Sequence, residues 1–114
     1  VPDKIEGRVG DTPILGAGTW ASERIAISCT GYGEFFIRRA TARTIDLYVD
    51  FGMTLEAAVK HALDDIEKLR PKAGGLIALS SDGKIIVTSL VEGIHYGHVS
   101  QTTEIKVGSY LPYL

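Results

Sequence analysis

Cysteine occurs once in these 114 residues, at Cys29, so the chain cannot close a disulfide on itself. That scarcity points to a reducing, cytoplasmic setting. Long apolar runs are missing as well, and none approaches the roughly 18 residues that a membrane span requires. The opening stretch, VPDKIEGR, lacks the apolar segment of a signal peptide, so neither a membrane partner nor secretion is expected. Charge of one sign is not in excess: the net charge is −2, which excludes the basic footprint of a nucleic-acid binder. Short chemical signatures are absent too. There is no Walker A loop and no HExxH, and the glycines of the 29–34 turn lack the third member of a dinucleotide fingerprint. His95 and His98 stand three apart without further ligands around them, so neither metal nor other cofactor is expected. No serine–histidine pairing marks a hydrolytic triad.

What is present suffices for a core. Hydrophobic residues make up 45% of the chain, enough for one domain or part of one. Alternation of Ile25, Ile27 and Cys29 predicts a strand over Arg24–Thr30, with Leu15–Trp20 as its hairpin partner beyond the Gly16–Gly18 turn. Cys29 then reads as a small buried hydrophobe, since nothing nearby would activate a thiol. Apolar residues at three- and four-residue steps predict one helix from Glu34 to about Phe51, stopped by Gly52. Thr54 caps a second helix, LEAAVKHALDDIEKL, whose apolar stripe runs from Leu55 to Leu69. His61 and the acidic residues Asp64, Asp65 and Glu67 fall on its polar side. Runs 75–80 and 84–90 around Asp82-Gly83 predict a β-hairpin. The tail from about 91 to 114 reads as irregular, with strand propensity around Thr102–Val107. The order of elements predicts an α+β chain, helices layered on an antiparallel sheet.

Two stretches invite chemistry. Arg8 and Asp11 lie three positions apart in a glycine-rich segment: a guanidinium for a carboxylate and a carboxylate for an ammonium. They match the two charged ends of an α-amino acid, and equally a surface ion pair of small energetic weight. CTGYGE, residues 29–34, lies between strand and helix. Its backbone N–H groups and the Thr30 hydroxyl could face an oxyanion, or its glycines could serve only a tight turn.

Three segments carry a resemblance: GRVGDTPILGAGTWA, ISCTGYGEFFIR and GGLIALSSDGKI, in this order. Across roughly residues 5–87 the chain resembles the β subunit of the plant-type L-asparaginase and isoaspartyl aminopeptidase family, among the N-terminal-nucleophile hydrolases. The resemblance implies a single partial domain over residues 1–114, part of an αββα four-layer sandwich completed by an α subunit from the same precursor. It further implies autoproteolysis and a dimer of αβ units, a heterotetramer. Arg8 would bind the substrate α-carboxylate and Asp11 the α-ammonium. Thr30 and Gly31 would form the oxyanion hole, Gly31 also contacting substrate. The reaction implied is hydrolysis of the side-chain amide of asparagine or of a β-aspartyl peptide by an N-terminal threonine. In that family the threonine opens the β subunit well before the arginine motif, whereas seven residues precede Arg8 here. The expectation is a nucleophile outside this chain, and no acylation by the chain alone. Two residue choices depart from the family pattern: Tyr32, where a smaller polar residue is usual, and Leu90-Val91, where Asn-Thr often stands. Alternatives within the resemblance are an aspartylglucosaminidase-type hydrolase and a catalytically dead amino-acid-binding relative.

Overall fold

The computed structural model describes residues 5–92, 94–100 and 103–110. In chain order its elements are β1 (Thr19–Ala21), β2 (Ile25–Gly31), α1 (Gly33–Arg39), α2 (Thr41–Asp50), α3 (Leu55–Leu69), β3 (Gly74–Ser80), β4 (Ile85–Ser89), β5 (Ile94–Ser100) and β6 (Thr103–Tyr110). Strands β1-β2-β3-β4 form an antiparallel sheet in that spatial order, and β5 and β6 pair as a separate antiparallel ribbon. The expected α+β class is what the chain adopts.

One face of the sheet is apolar because β2 and β3 alternate. Ile25, Ile27 and Cys29 from β2, Leu76 and Ala78 from β3, and Ile86 from β4 are buried. They form a single core with Phe36 of α1, Ala42 and Ile45 of α2, and Ala58, Val59, Leu63 and Ile66 of α3. Helix α3 matches its sequence pattern from end to end. Thr54 accepts a hydrogen bond from the Ala57 amide at 3.2 Å, and the stripe from Leu55 to Ile66 faces the core. Gly52, at φ +110°, takes the left-handed turn that ends α2. Gly83, at φ +91°, does the same for the β3–β4 hairpin.

Three elements differ from expectation. The helix predicted across 34–51 is two, because Ala40 adopts φ 45°, ψ 51°. The hydroxyls of Thr41 and Thr44 donate to the Phe36 and Arg39 carbonyls, satisfying acceptors that α1 leaves at its end. The first strand is shorter than Leu15–Trp20. Ile14 O accepts from both Ala17 N and Gly18 N, so the chain turns there and β1 starts at Thr19. The tail, irregular in sequence, forms β5 and β6, with a register shift between His98 and Ser100. Gly97 and Gly108 interrupt the alternation that would have announced those strands.

Candidate functional site

Alternation along β2 decides what Thr30 and Gly31 present. Ser81 N donates to Arg24 O at 2.9 Å and Tyr32 N to Ala73 O at 2.7 Å, so even-numbered residues turn their backbone groups to β3. Odd-numbered residues turn the other way: Cys29 N donates to Gly18 O at 2.8 Å. The Gly31 N–H therefore points to the β1 side, beyond Thr19↔Ser28 where β1 pairing has stopped. Thr30 and Gly31 are exposed at this strand end. The turn requires glycine. A Cβ on Gly31 would lie 2.1 Å from Ala73 O, and its φ of +134° disfavours other residues.

Into the same region comes Asp11. The loop carrying it is tied to β2 by the Thr12 hydroxyl, which donates to Cys29 O at 3.0 Å. The Asp11 carboxylate lies in a slot between two glycines. A Cβ on Gly18 would approach Oδ2 to 2.6 Å, and one on Gly33 would approach Oδ1 to 2.5 Å. Asp11 is only 4% exposed, and among the described residues its Oδ2 has no hydrogen-bond partner. Burial pushes the carboxyl above its ordinary range, opposed by its own amide and by the charge of Arg8. Arg8 is exposed and near enough to act on Asp11 through space, yet no ion pair joins them among the described residues. The structure thus gathers Asp11, Thr30 and Gly31 at one end of β2, with Arg8 at the rim. A carboxylate oxygen held dry and unpartnered is costly unless a ligand's donor meets it.

Other sequence candidates settle elsewhere. Cys29 is buried in the core, and burial together with the Asp11 charge pushes its thiol far above the reactive range. His61 packs edge-on against Tyr48, ring centroids 5.0 Å apart. A groove of about 490 Å³ between α2 and α3 includes His61, Asp64 and Asp65 in its lining and contains none of the four candidate site residues. Among the described residues no three His, Cys, Asp or Glu side chains are grouped for a metal. Nor is any described helix long and apolar enough to cross a membrane. Tyr32 is half exposed, and the Arg70 guanidinium lies 4.5 Å from its ring centroid.

Sequence reasoning missed Asp46. Fully buried, it accepts from Trp20 Nε1 at 2.9 Å, Ser22 Oγ at 3.1 Å, and Arg24 Nε at 2.9 Å. Arg24 Nη2 and Arg43 Nη1 add bonds of 3.2 and 3.1 Å. Burial alone would raise this carboxyl, but the donors from Arg24, Trp20 and Ser22 hold it below the ordinary carboxylate range. The network pins the β1–β2 hairpin to α2. Its only sequence signal is Asp46 falling on the apolar side of an amphipathic segment.

Comparison with known proteins places the chain in a family. A family model described as Asparaginase matches residues 1–108. The chain is 42% identical over 110 residues to a probable isoaspartyl peptidase/L-asparaginase 2 of Arabidopsis thaliana, covering 92% of this chain and 32% of that protein. It is 36% identical over 104 residues to an isoaspartyl peptidase of Escherichia coli K12, covering 88% and 32% respectively. Identity to a plant-type L-asparaginase of Pyrococcus horikoshii is 38% over 102 residues, covering 89% and 33%. The chain therefore spans about a third of the length of these curated relatives. On the match across nearly its whole length, the chain belongs to the asparaginase family whose relatives include isoaspartyl peptidases and plant-type L-asparaginases.

Proposed function

We propose that this chain is most of the β subunit of an amidohydrolase acting on L-asparagine and β-aspartyl peptides, with its threonine nucleophile outside the chain. The observation that carries the reading is the buried Asp11 Oδ2, without a hydrogen-bond partner among the described residues, on the loop that Thr12 ties to Cys29 just before Thr30 and Gly31. A substrate α-ammonium supplies the donor that Asp11 lacks, and Arg8 at the rim meets the α-carboxylate. The side-chain carbonyl then lies toward the Thr30–Gly31 turn.

The threonine hydroxyl attacks that carbonyl while its own α-amine takes the proton. Negative charge develops on the carbonyl oxygen, where the Gly31 N–H and the Thr30 hydroxyl stabilise it. Collapse of the tetrahedral species breaks the C–N bond, and the leaving amine departs protonated as ammonia or the shortened peptide. Water then hydrolyses the β-aspartyl ester, releasing aspartate and regenerating the hydroxyl. No step needs a cofactor. The second, outward face of the sheet supports an α-subunit partner: Ile77, Leu79 and Ile85 are each more than 40% exposed there. A dimer of αβ units extends the same proposal.

Steady-state kinetics of the full-length protein test the reading. Asparagine and β-aspartyl-leucine are each expected to be hydrolysed, and Arg8→Ala should cost about 2–5 kcal/mol in kcat/KM. Activity within a few-fold of the parent after Arg8→Ala would reject the clamp. Aspartate binding without hydrolysis of either compound would instead favour an amino-acid-binding relative.

A further inference from the structure

The break between α1 and α2 has a consequence for the site. In an unbroken helix over 33–50, the amides of Ala42 and Arg43 would bond to the carbonyls of Arg38 and Arg39. Here they leave the helical ladder. Ala42 N donates to Ala17 O at 3.1 Å and Arg43 N to Gly16 O at 2.9 Å, and the ladder resumes with Thr44 N on Ala40 O at 2.9 Å. The carbonyls they hold belong to the loop that packs Gly18 against the Asp11 carboxylate. β2 holds the same loop at two further points, through the Thr12 hydroxyl on Cys29 O at 3.0 Å and Cys29 N on Gly18 O at 2.8 Å, while turns from Ile14 N to Asp11 O and from Gly16 N to Thr19 O shape it within. The backbone conformation that frees the two amides is an unusual one: Ala40 sits at φ 45°, a region that alanine rarely adopts. Its side chain is exposed, so no core contact explains the choice.

We infer that Ala40 is a positioning residue: its left-handed conformation lends the Ala42 and Arg43 amides of α2 to the Ala17 and Gly16 carbonyls and so helps fix the loop that aims Asp11. The inference rests on the reading of Asp11 as the α-ammonium ligand. It concerns substrate binding more than chemistry, because Asp11 meets a group whose charge does not change during the reaction.

Two substitutions at Ala40 of the full-length enzyme separate backbone conformation from side-chain loss. Ala40→Gly suits the left-handed region, and its KM and kcat for asparagine should stay within about twofold of the parent. Ala40→Val resists that region through its β-branch while adding bulk only at the surface. It should raise KM about tenfold or more and leave kcat within about threefold. Equal kinetics for the two variants, or a loss in kcat matching that in KM, would overturn the assignment. Should Ala40→Val not fold, hydrogen exchange on the parent decides. Added aspartate should slow exchange at the Ala42 and Arg43 amides together with residues 14–18, and unchanged exchange there rejects the inference. A parent inactive on both asparagine and β-aspartyl-leucine would instead reject the function, whatever Ala40 does.

Discussion

Asp11 is a burden on the fold as it stands. An ionised, buried carboxylate with one unpartnered oxygen penalises the folded state, and the penalty follows its protonation. Because the folded-state pKa is raised above 3.8, the fold binds the proton more tightly than the unfolded chain does. Stability from this residue is thus greatest below 3.8 and is lost as pH rises through the raised value. Asp11→Asn removes the ionisation, so the variant is expected to melt higher than the parent at pH 8, by about 1 kcal/mol. The gap should shrink toward pH 4, as the parent carboxyl takes up its proton on the way down through the raised value. Thermal melts at the two pH values check the sign, and a gap that widens in acid contradicts the buried-charge account. The same variant should lose binding of aspartate. Spacing alone placed Arg8 and Asp11 together as candidates; it could not show that one is buried and the other at the rim. That division depends on Gly18 and Gly33, which are near Asp11 only once β2 and α1 have folded against the loop.

Among the elements, the legible ones announce themselves locally. Helix α3 has its Thr54 cap and a continuous stripe, and the β3–β4 hairpin has Asp82-Gly83 at its turn. The break at Ala40 has no such sign, since alanine is the strongest helix former and neither glycine nor proline stands there. What accompanies it is non-local: the freed amides bond to carbonyls more than twenty residues upstream. The Asp46 network is similarly non-local, as Trp20, Ser22 and Arg24 approach from another hairpin. Asp46→Ala would leave those donors, with Arg43, around an apolar methyl. A loss of about 2–3 kcal/mol is expected, moderated because both arginines retain access to water. Denaturant unfolding at pH 7 measures it. Since Asp46 titrates below 3.8 in the fold, its contribution is full above that value and fades as pH falls through the lowered pKa. An Asp46→Ala deficit that is as large at strongly acidic pH as at pH 7 would contradict the ionic part of the network.

At the scale of the molecule, one sheet face is covered by three helices and the other exposes Ile77, Leu79 and Ile85. If an α subunit covers that second face, Leu79→Lys should block assembly of the full-length protein without unfolding the helical layer. Size-exclusion chromatography with circular dichroism distinguishes the outcomes; normal assembly of the variant would place the partner elsewhere. The order of elements also bears on how the molecule forms. Strands β3 and β4 are joined by a short turn, but β2 and β3 enclose all three helices between them. Pairing β2 with β3 therefore closes a loop of more than forty residues, a non-local contact of the kind that slows folding. Gly31 gains its geometry only from that closure, against Ala73 and Gly74. During synthesis, the Thr30–Gly31 turn leaves the ribosome long before the strand that shapes it, so a partly made chain carries the motif without its final geometry.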